Sequence, residues 1–156
     1  MLIRRYKTED CSEMIQLFYD TVHTVNAKDY NPAQLHAWAS NDIDSSKWDK
    51  SLSENYTIVV ERDSIIIGFG DLSRTGHFDH LFVHKNFQGQ GIATLIANEI
   101  EKYAAENNIL MITTEASITA KPFFIKRDYK VSKQQTVERK GQLFINFFMK
   151  KQLTSY

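Results

Sequence analysis

The spacing of apolar and polar residues changes period along this chain, and each change marks an expected element. Residues 2–7 alternate as an opening strand, Thr8 to Asp10 offer N-cap choices, and Met14, Leu17, Phe18, Thr21, Val22 and Val25 then recur at helical spacing. Pro32 opens a second helix that carries Leu35 and Trp38, and residues 45–52 read as a further short helix with Trp48. Residues 56–61 and 65–73 form an expected hairpin turning at Arg62-Asp63, followed by a third strand over 76–83. The order continues with a helix from about Gly91 to Asn107, a buried strand at 110–114, a helix at 119–127, and strands at 129–138 and 143–149. No repeat or low-complexity tract interrupts this order, and 156 residues with 42% hydrophobic content predict one domain, residues 1–156, around a single sizeable core.

The most informative stretch joins the third strand to the long helix. An apolar strand end, Leu81-Phe82-Val83, leads through His84-Lys85-Asn86-Phe87 into Gln88-Gly89-Gln90-Gly91-Ile92-Ala93-Thr94. Gly89 and Gly91 allow a tight turn and close approach of the backbone, and the free N–H groups and positive dipole end of the following helix favour an anion. No Lys-Ser/Thr pair follows, so the turn is not a Walker A loop, and a third glycine of the dinucleotide fingerprint is missing.

These residues resemble motif A of the GNAT superfamily of acyl-CoA-dependent N-acetyltransferases. In that motif a strand ending Leu-Phe/Tyr-Val runs into Gln/Arg-x-x-Gly-x-Gly/Ala; Gln88, Gly91 and Ala93 fill the signature positions. A second block matches in spacing, Ser117-x-x-Ala120-x-x-Phe123-Phe124-x-x-x-Asp128-Tyr129, with Ser117 where the family usually has an amide and Phe124 where it often has a general-acid tyrosine. With His23 to Tyr30 and Pro122-Phe123-Phe124, the chain is similar to the bacterial YafP-like branch of that family. The resemblance implies an α/β fold with a mixed, mostly antiparallel twisted sheet of about six to seven strands and about four to five helices, in the order β-α-α-β-β-β-α-β-α-β-β. It also implies an acetyltransferase that takes acetyl-CoA as co-substrate and a primary amine of a small molecule or peptide as acceptor, by direct nucleophilic attack.

On this reading Leu81, Phe82 and Val83 pair with pantetheine through their main chain, the pyrophosphate rests on N–H groups from Gln88 to Thr94, and Ser117 and Phe124 border the cofactor. The Val83 N–H polarises the thioester carbonyl. A base must relieve an ammonium of pKa near 10, and in the family that position falls four residues before Leu81, which here is His77. Strict strand alternation puts His77, Asp79, Leu81 and Val83 on one face, so either His77 or Asp79 is the expected base. For the acid, Tyr129, Ser117 or water remain open; a thiolate of pKa near 8.5 leaves at a cost of only about 2 kcal/mol at neutral pH. His23, Asn26, Asp29, Tyr30 and Trp38 are the expected acceptor lining, with the acceptor's identity open.

Composition trims the alternatives. Net charge is zero, yet residues 1–119 hold 10 Lys/Arg against 17 Asp/Glu while residues 120–156 hold 9 against 2. That basic third, without Lys/Arg runs interleaved with aromatics, makes nucleic acid an unlikely partner. A His-x-Asp pair suggests a metal, but His80 and His84 should face the other way, so no metal is expected. No apolar run is long enough to span a bilayer and Met1 to Arg5 lack a signal-peptide core, so a cytoplasmic protein is expected. The single Cys11 reads as a small helix residue. Two other function classes stay open: a non-catalytic acyl-CoA sensor, suggested by Phe124, and an RNA- or protein-modifying partner module, suggested by the basic third. Exposed edges of the last strands suit a homodimer.

Overall fold

The computed structural model describes residues 1–154. Seven strands, β1 (Leu2–Arg5), β2 (Tyr56–Arg62), β3 (Ile65–Leu72), β4 (His77–Val83), β5 (Met111–Ser117), β6 (Lys130–Arg139) and β7 (Gln142–Gln152), form one sheet in the order β1-β2-β3-β4-β5-β7-β6. Every neighbouring pair is antiparallel except β4 and β5, which run parallel because helix α4 (Ile92–Glu106) crosses between them. Helices α1 (Cys11–Thr24), α2 (Pro32–Trp38) and α3 (Ser45–Glu54) cover one face; α4 lies on the other, and the short α5 (Lys121–Lys126) follows β5.

Local chemistry sets the boundaries. Asn31 accepts the Gln34 N–H at 2.8 Å while Gln34 Oε1 accepts the Asn31 N–H at 2.9 Å, a reciprocal cap that starts α2 at Pro32. Asp44 Oδ1 accepts the Ser46 and Lys47 N–H groups and starts α3. The β2–β3 hairpin turns at Asp63-Ser64, both at positive φ, one residue later than the sequence suggests.

Two apolar clusters sandwich the sheet. Ile92, Ile96 and Ile100 of α4 pack on Ile58, Val60, Leu72 and Ile112, while Met14, Leu17, Phe18 and Val22 of α1 pack on Val59 and Phe69. A Cβ placed on Gly68 would lie 2.9 Å from Ile92 Cγ2, and one on Gly70 would lie 2.7 Å from Ile96 Cγ2, so these two glycines let α4 sit tight against β3. That seating fixes where the helix N-terminus meets the end of β4.

Candidate active site

The parallel pairing of β4 with β5 covers only His77↔Thr113 and Phe78↔Thr114, and the strands then splay apart. Thr114 Oγ1 donates to the Phe78 carbonyl at 2.8 Å, closing the paired part. Beyond it, the antiparallel register with β3 decides which way the main chain points. His84 N–H donates to Ile67 O at 2.8 Å, and Gly68↔Val83 and Gly70↔Leu81 are in-register partners one and three steps further on. Hydrogen-bonded and non-bonded pairs alternate, so Leu81 and Val83 turn their N–H and C=O groups away from β3 into the gap. Val83 O is already occupied, by the Thr21 hydroxyl at 3.2 Å and by Gln88 Nε2 at 2.7 Å, which ties the strand end to the glycine turn. The Val83 N–H faces the gap.

At the end of that gap stands α4. Gly91 caps it at φ 80° and Gly89 turns at φ 72°, both in the left-handed region, and nothing lies within 4 Å of where their Cβ atoms would be. The first N–H to bond within the helix is Leu95, to Gly91 O, so the N–H groups ahead of it point outward at the positive end of the dipole. A cavity of about 680 Å³ runs along the gap, lined on this side by Leu81, Phe82, Val83, Gln88, Gly89 and Gly91, then by Ile92, Ala93 and Thr94. Ser117 and Phe124 border it across the gap; Gln90 is exposed and outside the lining.

Of the two expected bases, Asp79 lines the cavity and His77 does not, so the expectation for His77 requires correction. Leu72 pairs with Phe78 while Asp71 pairs with His80, so Asp79 is an extra residue bulged out of β4. The bulge breaks the period of two. Phe78 joins Leu81 and Val83 in the core under α4, whereas His77 points away from them, shares a 2.9 Å hydrogen bond between its Nδ1 and Thr113 Oγ1, and does not line the cavity. His80 lines it together with Asp79, beside Trp48 and Phe82.

The bulge is held by a buried carboxylate. Asp71 Oδ1 accepts the His80 main-chain N–H at 2.7 Å, replacing a ladder bond, and the His80 Nδ1–H at 3.0 Å, while Asp71 Oδ2 accepts from Asn55 Nδ2 at 3.0 Å. Asp71 is fully buried and Asp79 Oδ2 stands 3.4 Å from the same imidazole nitrogen. Burial pulls the His80 pKa down, but the charge and hydrogen bond of Asp71, with Asp79 behind them, outweigh it and leave the imidazole above the ordinary histidine value. Asp71 shows the converse: burial raises its pKa, and His80 with Asn55 overrides burial to leave it below the usual carboxylate range. With Nδ1 turned to Asp71, Nε2 is the free nitrogen of the ring.

Asp71, Asp79 and His80 also bring three ligand atoms within 4.8 Å of one another, a convergence that the sequence spacing did not reveal. The Asp71 oxygens already receive three N–H donors, however, and a donor set aimed at a carboxylate suits an ion pair better than a cation.

Several expected site residues lie elsewhere. Tyr129 is buried away from the cavity, its hydroxyl donating to Glu101 Oε2 at 3.0 Å, and burial with the Glu101 charge pushes its pKa far up. Phe124 packs edge-on against Phe78 and Tyr129, so the ring at the tyrosine position is a core residue as well as a cavity wall. Ser117 Oγ accepts the Ala120 N–H at 3.0 Å. Of the expected acceptor residues, Asn26 and Trp38 line the cavity. Tyr30 lines a small side pocket and accepts the Ile118 N–H at 2.9 Å, Asp29 accepts the Thr119 hydroxyl at 2.7 Å, and His23 Nε2–H donates to Ala39 O at 2.7 Å. Asp29 and His23 thus brace loops. Cys11 is buried, which raises its pKa, and it is not part of the cavity lining.

Sequence reasoning missed Phe18, Ile43, Trp48, His80, Glu115 and Arg139, all in the lining. Trp48 had only a short expected helix to mark it, Ile43 precedes that helix with no signal of its own, and His80 was hidden by the bulge.

Comparison with known proteins agrees with this geometry. Residues 26–153 match the family model described as an acetyltransferase (GNAT) domain. The chain is 34% identical over 149 residues to the uncharacterized N-acetyltransferase YafP of Escherichia coli, covering 95% of this chain and 93% of that protein. A GCN5-related N-acetyltransferase from Rhodopseudomonas palustris superposes with TM-score 0.93 at 32% identity, over 97% of this chain and 95% of that one. The PaiA N-acetyltransferase of Thermoplasma acidophilum, solved in complex with coenzyme A, shares the fold with TM-score 0.79 at 18% identity, over 97% and 98%.

Proposed function

The chain belongs to the GNAT acetyltransferase family, and on that premise we propose that it transfers an acetyl group from acetyl-CoA to a primary amine of a small molecule or peptide by direct attack. The observation that carries this reading is the splayed gap between β4 and β5, with unpaired main-chain groups along one side, a helix N-terminus at its end and an imidazole held by a carboxylate on its wall. PaiA, which shares the fold, holds coenzyme A, and the gap and helix end here suit such a ligand.

Leu81 and Val83 receive the pantetheine arm as a further strand, while the main chain of Phe82 faces β3, and the N–H groups from Gln88 to Thr94 receive the pyrophosphate. The Val83 N–H stabilises the charge that develops on the thioester oxygen. His80, through Nε2, accepts the proton released as the amine nitrogen attacks the thioester carbon and the carbon–sulfur bond breaks; Asp71 holds the imidazole and stabilises its charged form. Water supplies the proton that the leaving thiolate takes up, since Tyr129 is engaged with Glu101. One domain carries all of these groups. No helix among the described residues is long and apolar enough to cross a membrane, and a cytoplasmic location fits the reading.

Two measurements test it. Acetyl-CoA and CoA, but not ATP or NAD at matched concentration, should raise the melting temperature, since a ligand at 100 times its Kd adds about 2.7 kcal/mol. Release of free CoA with a panel of primary amines, and a mass gain of one acetyl on the amine, should follow. An acetyl-CoA shift without transfer to any amine contradicts the enzyme reading, and no shift contradicts the cofactor.

A further inference from the structure

One arm of the cavity has chemistry that acetyl-CoA does not require. A side pocket of about 50 Å³ opens beside the acceptor half, sharing Trp38, Glu115, Ser117 and Arg139 with the main cavity and floored by Asn146 of β7. It has room for one small polar group, somewhat more than the roughly 30 Å³ share of a water molecule. Asn146 is buried, and its Oδ1 is the one buried side-chain polar atom with no hydrogen-bond partner among the described residues. Such an atom is left waiting for an N–H or O–H donor.

Arg139 closes the other side. It ends β6 at the hairpin tip, where Lys140 Nζ donates to Ser40 Oγ at 3.0 Å and to Asp42 Oδ1 at 3.1 Å, and Gln34 Nε2 donates to Leu143 O at 2.8 Å. These contacts anchor the tip to α2 and the segment after it, over the cavity. Arg139 has no ion-pair or side-chain hydrogen-bond partner among the described residues, although Glu115 lines the same two spaces. Arg139 lines the main cavity together with His80 and the side pocket together with Tyr30. Arg139 and Glu115, whose carboxylate accepts only a long 3.3 Å hydrogen bond from Gln135 Nε2, line one mouth without pairing with each other, and beside an unpaired amide oxygen they complement a ligand that carries both signs. The walls around them, Trp38, Trp48 and Phe82, are aromatic.

Resting on the acetyl-transfer reading above, we infer that the acceptor is an amine that also bears a carboxylate, an amino-acid-type molecule. Arg139 takes the carboxylate through its paired N–H groups, and Glu115 and the Asn146 Oδ1 face its donors. The pyrophosphate turn, at the other end of the cavity, has no need of Arg139.

The test compares phenylalanine with phenylethylamine, tyrosine with tyramine, leucine with 3-methylbutylamine, and lysine with cadaverine. Each is assayed for acetyl-CoA-dependent N-acetylation and corrected for the fraction of free amine. At least one amino acid should exceed its decarboxylated partner in kcat/KM by roughly ten- to hundredfold, the range for hydrogen bonds to a charged group. In Arg139→Gln that ratio should collapse towards one, through KM, and Arg139→Lys should restore part of it. Arg139 is exposed, and circular dichroism melting checks that both variants fold. Equal or better use of the decarboxylated amines, or a preference unmoved by Arg139→Gln, overturns this inference and leaves acetyl transfer standing. No transfer to any member of either series, with transfer to other primary amines, overturns this inference alone, and no transfer to any primary amine overturns both.

Discussion

Where β4 ends and α4 begins, the groups that meet the gap are main-chain N–H and C=O groups of Leu81, Val83 and the turn from Gln88 to Thr94; where α1, α2, α3 and the β6–β7 hairpin meet, they are side chains, His80, Trp38, Trp48, Glu115 and Arg139. The first half is specified by strand register and two glycines, and it tolerates any side chain that keeps the backbone in place. The second half depends on individual atoms brought together from segments far apart in sequence. The proposed cofactor contacts therefore sit in backbone, and the proposed acceptor contacts sit in side chains.

Substitutions on the two sides should separate those halves. The largest effect is expected from His80→Gln, which should lower kcat/KM by about 10²–10⁴-fold, the usual span for a general base, while acetyl-CoA still raises the melting temperature. Gly91→Val should do the reverse. A β-branched residue at φ 80° costs about 1–3 kcal/mol and spoils the helix start, so the acetyl-CoA shift should shrink or vanish in the same melting assay. Gly70→Ala should reach the cofactor half indirectly, pushing Ile96 and α4 off the sheet and costing about 1–3 kcal/mol in denaturant unfolding. The smallest effect is expected from His77→Ala: with its ring on Thr113 and outside the cavity, kcat/KM should change by less than about threefold. A loss as large as that of His80→Gln would restore the strand-alternation base.

The backbone half was legible from sequence because it follows from spacing. Leu81-Phe82-Val83, the glycine turn and the element order are all local, and each matched an element within a few residues. The side-chain half was not, for reasons particular to its residues. A single bulge at Asp79 exchanged the faces of His77 and His80, and its cause, Asp71, lies on another strand with nothing nearby in sequence to mark it. Tyr129 followed a family spacing into the core, where Glu101 of α4 holds its hydroxyl. Arg139 had no signal beyond the basic composition of the last third. Trp38 was found because α2, which carries it, was expected, and Asn26 because it follows closely on α1.

The pH dependence of kcat/KM, measured for the wild type and Asp71→Asn with one amine acceptor, tests the central claim most directly. His80 acts as a base only when neutral, and Asp71 holds its pKa above the ordinary value of about 6.5, so wild-type activity should rise through an inflection above that pH. Removing the Asp71 charge lowers the imidazole pKa, so the variant should show a lower plateau with its inflection moved to lower pH. The acceptor's own ionisation does not move between the two proteins. An inflection at the same pH in both would contradict an Asp71-held His80 as the base.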